Sequence, residues 1–226
     1  MFEKLFSEFD QILVLDTETT GIDPRRDEII ELGMTSLSPR GEVEADFLIS
    51  LSPEKRLPPE ITRLTGITPE KLQDEGVGKG EAAEAFAAMV GGKKTLLAAY
   101  NAQFDLNFLF YFLSREKRAD ALRGIRMLDV LTVYRDRRPY PHRLEHAVAA
   151  YGLTTQNTHR ALDDVHATVA VMAAMEAEKD DLERYINLFG THPKYGLSGR
   201  PIGSVTYRPQ EYDPARPLYE SGEENA

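Results

Sequence analysis

The chain has no cysteine among its 226 residues. That excludes disulfide staples and thiolate metal sites, and it accords with a reducing, cytoplasmic setting. No apolar run approaches the ~18 residues of a membrane span, so no membrane partner is expected. Met1-Phe2-Glu3-Lys4 has neither the basic start nor the apolar stretch of a secretion signal. Positive charge is also scarce. There are 27 Lys and Arg against 37 Asp and Glu, a formal net of −10. Taken alone, this argues against a protein that grips nucleic acid by bulk attraction. The deficit is uneven, however: residues 115–143 carry nine Lys and Arg against four Asp and Glu, a local net of +5. A solvated helix face is the common meaning of such a run. A site that gathers metal ions also brings positive charge that the formal sum omits.

What is present is a soluble, globular composition, 42% hydrophobic and 28% charged, long enough for one sizeable core. The pattern centres on Leu13-Val14-Leu15-Asp16-Thr17-Glu18-Thr19-Thr20-Gly21. The apolar run from Ile12 to Leu15 reads as a buried strand. Side chains alternate along a strand, so Asp16 and Glu18 share one face. Two like charges at the end of a core strand repel each other, and burial penalises both. A divalent cation removes that conflict; the bland alternative is two surface acids on an edge strand.

Residues 28–37 and 44–51 read as strands around the turn Ser38-Pro39-Arg40-Gly41, an antiparallel meander with the first strand. Short helices are expected from Pro58 and from Pro69, the latter with Thr68 as N-cap. Residues 75–80 form a glycine-rich link. Gly76 to Gly80 superficially resembles a phosphate loop, but Gln73 and Gly80 stand where that loop needs glycine and Ser/Thr. A helix follows over 81–90. Residues 95–100 and 125–128 read as buried strands, and 103–117, 144–151, 161–177 and 180–188 as helices, with Asp129 capping another toward Tyr134. From Gly190 onward Pro and Gly break every pattern. This gives an expected division into a domain over 1–189 and an irregular arm over 190–226, packed on the domain and frayed at its acidic end. The fold class is α/β, a mixed sheet with helices on both faces.

Three patches carry acids in unusual company: Asp16 with Glu18; Asn101-Ala102-Gln103-Phe104-Asp105; and His159-Arg160-Ala161-Leu162-Asp163-Asp164. In this order and spacing they resemble the three motifs of the DEDDh 3′→5′ exonucleases, nearest to the proofreading epsilon type of bacterial DNA polymerase III. Leu64-Thr65-Gly66-Ile67-Thr68 also resembles a segment of that subfamily, and the similarity covers roughly residues 10–178. The resemblance implies a ribonuclease H-like fold and release of nucleoside 5′-monophosphates from 3′ ends. It implies Asp16, Glu18, Asp105 and Asp164 as ligands of two divalent cations, Mg²⁺ or Mn²⁺, with His159 as general base. Carboxylates without thiolates suit such hard ions. Two ions can activate water and stabilise a leaving oxygen in an in-line displacement. An imidazole can take a proton near neutral pH.

Spacing alone does not choose between Asp163 and Asp164; the family pattern selects Asp164, provided His159 precedes the helix. By resemblance the backbone of Thr19, Thr20 and Gly21 meets the terminal nucleotide, with a plain turn as the alternative. Asn101 and Phe104 are candidates for sugar or base contact, Phe104 equally for the core. Tyr100 stands where many relatives have histidine, a packing change. His142 and His146 lack the glutamate of a zinc-protease motif and read as a helix face. The expected substrate is single-stranded or frayed DNA, with short RNA as the alternative. Any polymerase partner would be a separate chain, and an inactive binding module is the competing reading.

Overall fold

The computed structural model describes residues 1–54, 56–155, 158–192, 196–208, 210, 213 and 215–220. A short helix α1 (Glu3–Glu8) leads into β1 (Gln11–Thr19), which is followed by β2 (Ile29–Leu37) and β3 (Val43–Ser50). Then come α2 (Pro59–Thr65), α3 (Pro69–Glu75), α4 (Lys79–Val90), β4 (Thr95–Ala99), α5 (Ala102–Arg115), β5 (Arg126–Asp129), α6 (Val130–Arg137), α7 (Leu144–Ala150) and α8 (Ala161–Glu178). The five strands form one sheet in the order β3-β2-β1-β4-β5. β1 pairs antiparallel with β2 and parallel with β4; β2–β3 is antiparallel and β4–β5 parallel. The meander and the mixed sheet expected from the sequence are therefore present.

β1 takes the centre because both of its faces are apolar. Ile12 and Val14 face a layer built from α1, α6, α7 and α8, where Val165, Val171, Met172 and Met175 are fully buried. Leu13 and Leu15 face the opposite layer with Phe86 of α4 and Leu106, Leu109 and Leu113 of α5. Each such side chain contributes about 1.5–3 kcal/mol by leaving water. The same alternation carries Asp16 and Glu18 onto the α8 side of the sheet.

Three boundaries differ from the sequence pattern. α4 begins at Lys79, with Gly78 at its N-cap, two residues earlier than expected. α1 was not anticipated; its six residues are too few to show periodicity. Residues 180–188 form only a single 3₁₀ turn, Leu182–Tyr185, rather than a last helix. The open edge of β5 competes for this stretch. Asn187 turns to φ 65°, its amide donates to Met127 O at 2.8 Å, and its Oδ1 accepts from Met127 N at 3.1 Å. Unpaired strand groups need such partners.

Beyond Gly190 the chain crosses back over the domain. Ile202 and Val205 are buried in the α4–α5 layer, and Tyr207 stacks on Phe189 with centroids 4.5 Å apart. The acidic end was expected to fray from Glu220 to Ala226; Glu220 instead closes a 3₁₀ turn, Leu218–Glu220, and residues 221–226 lie outside the described residues, as do Pro193, Tyr195, Pro209 and Pro214 of the arm.

Candidate active site

The acids meet at the end of β1 where the sheet gives way to loops. Asp16 and Glu18 project toward the first turn of α8, which presents Asp164. One carboxylate oxygen from each of the three can be chosen so that all lie within 4.8 Å of one another. Asp105 belongs to the first turn of α5 and is held beside them. Its Oδ1 accepts from Thr17 N at 3.0 Å and Thr17 Oγ1 at 2.7 Å.

Close approach of α8 to the sheet requires a missing side chain. Gly33 lies opposite Asp16 in the β1–β2 register. A Cβ there would stand 2.7 Å from the carbonyl carbon of Ala161. Glu31 then clamps the helix start. Its carboxylate accepts from Arg160 Nη2 at 2.7 Å and Nε at 3.1 Å, and from Ala161 N at 3.0 Å. This planar fork is the geometry arginine offers best. Asp129 holds the other helix: its Oδ1 accepts from Asn101 N at 3.0 Å and Ala102 N at 3.3 Å, besides capping α6 through Leu131 N. Asn101 is thereby fixed in the left-handed region at φ 73°.

Electrostatically the cluster is unsatisfied. Burial, then the neighbouring carboxylates Asp105, Glu18, Asp164 and Glu31, hold Asp16 well above the usual carboxyl range. Glu18 is pushed up to about 8 by burial and by Asp164, Glu31 and Asp105, against a lowering influence from Arg160. Asp105 is raised by burial, opposed by its hydrogen bonds from Thr17. Asp164 is raised to about 6, chiefly by burial, while His159 draws it down. Asp164 Oδ1 is buried and has no hydrogen-bond partner among the described residues. Buried polar atoms are rarely left so. An orphaned oxygen among mutually repelling carboxylates fits a hard divalent cation.

His159 precedes α8, which starts at Ala161 after Arg160 as N-cap. Its backbone is left-handed at φ 55°, and its exposed side chain lines a cleft beside Tyr100, Arg135, His142 and His146. Asp164 is buried and Asp163 exposed, the latter accepting a bond from Thr158 Oγ1. Thr19 Oγ1 donates to Gly21 O at 2.6 Å, and Thr20 Oγ1 accepts from Glu28 N at 3.0 Å. Gly21 lets the Asp27 carboxylate approach where a Cβ would stand 2.4 Å away. Asn101 and Phe104 line a second cleft. Sequence reasoning missed Thr17, Glu31 and Gly33. A lone acid and a glycine inside an apolar strand were the available signals.

The geometry can be set beside known proteins. Residues 13–172 match the family model described as Exonuclease (RNase_T).

The chain belongs to this exonuclease family.

Among its relatives, the DNA polymerase III subunit epsilon of Treponema pallidum is 30% identical over 169 residues, covering 72% of this chain and 74% of that protein. The PolC-type DNA polymerase III of Clostridium perfringens is 30% identical over 167 residues, 72% of this chain. The exonuclease chain spans only 11% of that much longer relative. Among solved structures, an E. coli ExoI–ssDNA complex superposes with a TM-score of 0.69 at 23% identity, over 77% of this chain and 42% of that one. That likeness is one of fold, the ribonuclease H-like arrangement. No described helix is long and apolar enough to cross a membrane.

Proposed function

We propose that this exonuclease removes nucleotides from the 3′ ends of single-stranded or frayed DNA as 5′-monophosphates, using two divalent cations, Mg²⁺ or Mn²⁺, and His159 as general base. The gathering of Asp16, Glu18 and Asp164 into one cluster of raised carboxyls carries the reading. Asp16, Glu18 and Asp164 would hold the ions together with Asp105, which Thr17 orients. When bound, such ions supply a nucleophilic hydroxide at neutral pH and stabilise charge on the leaving oxygen.

The chain's own groups do the rest. Glu31 and Arg160 fix the start of α8, so Asp164 and His159 keep their positions relative to β1. His159 takes the proton of the attacking water, from a loop exposed to solvent into which that proton can be passed on. Backbone groups of Thr19, Thr20 and Gly21, with Asn101 and Phe104, receive the terminal nucleotide. A separate polymerase chain is the partner suggested by the epsilon-type relatives.

The test is an oligonucleotide labelled at its 5′ end, incubated with Mg²⁺ or Mn²⁺ beside a matched RNA. A ladder shortening from the 3′ side is expected, with DNA preferred. Internal cuts, or no cleavage with any divalent ion, would overturn the proposal.

A further inference from the structure

The segment beyond the family match packs on α5, the helix whose first turn carries Asp105. Gly199 passes so close to α5 that a Cβ would stand 3.1 Å from Asn107 Nδ2. Arg200 O accepts from Gln103 Nε2 at 3.0 Å. Tyr207 OH donates to Gln103 Oε1 at 3.0 Å and accepts from Ile202 N at 3.1 Å. With Ile202 and Val205 buried, these contacts lay the segment along the first two turns of α5.

Between it and the turn after β1 lies a cleft of about 340 Å³. Ile22, Phe104 and Tyr111 give it apolar and aromatic surface, while Arg25 and Arg200 stand at its edge. Two of its lining residues are chain neighbours of the acids: Ile22 follows Glu18 by four residues, and Phe104 precedes Asp105. Arg25 is paired with Asp23 at 3.1 Å. Arg200 is exposed and makes no ion pair among the described residues. Aromatic faces for a base and a guanidinium for a phosphate are the two things a single strand needs from a groove.

We propose that the C-terminal segment completes a second nucleotide subsite, in which Arg200 contacts a backbone phosphate of the single strand behind its 3′-terminal nucleotide. This rests on the exonuclease reading of the acid site. Tyr207 and Gln103 act as positioning residues, holding the loop that carries the guanidinium.

The experiment uses the full chain and dT12 carrying a 5′ fluorophore. Kd is read by anisotropy with Ca²⁺, and KM and kcat with Mn²⁺. Arg200→Ala is expected to raise Kd and KM about 3–10-fold, with kcat changed less than about twofold. It should also flatten the slope of log Kd against log salt by ~0.7, one phosphate contact on a single strand. Arg200→Lys should restore most of the affinity. Arg40→Ala removes the same charge at the remote turn between β2 and β3 and should leave Kd within about twofold of the parent. Equal Kd for Arg200→Ala and Arg40→Ala would overturn the subsite, as would a loss of kcat without a rise in KM. If the parent binds dT12 with this arginine dependence yet never cleaves it, the subsite stands and the exonuclease reading falls. Cleavage with an unaltered KM in Arg200→Ala refutes the subsite alone.

Discussion

The two ends of α8 treat a buried carboxyl in opposite ways. At the C-terminal end, Asp181 is buried among partners: Arg137, Lys179 Nζ at 2.8 Å and Tyr219 OH at 2.8 Å. Burial pushes its carboxyl up, but hydrogen bonds from Lys179 and Tyr219 and the Arg137 guanidinium outweigh that, and it sits below the usual value. Arg137 also donates to Met175 O at 2.6 Å, a cation at the negative end of the helix. At the N-terminal end, Asp164 is similarly buried yet pairs with no lysine or arginine among the described residues. The nearby arginine, Arg160, is committed to Glu31, and the carboxyl is raised to about 6. The positive end of the helix favours the anion by only about 0.3–1 kcal/mol, too little to offset burial. Burial of an acid therefore says nothing by itself about function. What distinguishes the N-terminal site is that its acids gather against one another, with their carboxyls raised rather than lowered.

Charge removal at each end should separate the two roles. Asp16→Asn is expected to lower kcat on an oligonucleotide by about 10³-fold or more, the several kcal/mol that metal-assisted chemistry supplies. The same change relieves repulsion, so without metal its Tm should rise by about 2–4 °C. A metal-free Tm below the parent's would break the contrast. Asp181→Asn should do the reverse. Removing one partner of a buried pair costs about 3 kcal/mol, a fall in Tm of roughly 6–10 °C, while kcat at 20 °C stays within twofold.

The smallest effect is the pH dependence. Glu18 and Asp164 have folded-state pKa values above their ordinary ones, so the folded chain holds protons more tightly than the unfolded one. Their contribution is present below about pH 4 and lost as pH rises through about 6 to 8. In EDTA, Tm should fall by a few degrees between pH 5 and pH 8, and Mn²⁺ should flatten that decline. Asp181, with a lowered pKa, contributes above its unfolded value and loses that contribution only as pH falls below about 4. A metal-free Tm that climbs from pH 5 to pH 8 would contradict the unsatisfied cluster.

Much of this architecture was legible because single residues reported it. The alternation of side chains along β1 put Asp16 and Glu18 on one face, and the Asp129 side chain caps α6 as its position after a strand suggested. Which of Asp163 and Asp164 joins the cluster was not legible from spacing, because it depends on where the helix begins; with Arg160 as N-cap, α8 starts at Ala161, two residues after His159, and Asp164 is the one that meets Asp16 and Glu18. Glu31 and Gly33 stood out as a lone acid and a glycine in an apolar strand, but what they meet was illegible for a different reason. Their meaning lies in a helix some 130 positions later along the chain, and no local period encodes that meeting. The failed helix after Asp180 has the same origin: a strand edge distant in sequence outbid local propensity through Asn187.

The Glu31–Arg160 fork joins points 129 positions apart. During synthesis, β1 and β2 emerge long before α8 exists. Until the ribosome has released that helix, Glu31 has no arginine and Asp16 and Glu18 face no Asp164. Under the proposed activity, an unfinished chain could not attack the nucleic acid around it, and competence would arrive only with late closure of the clamp.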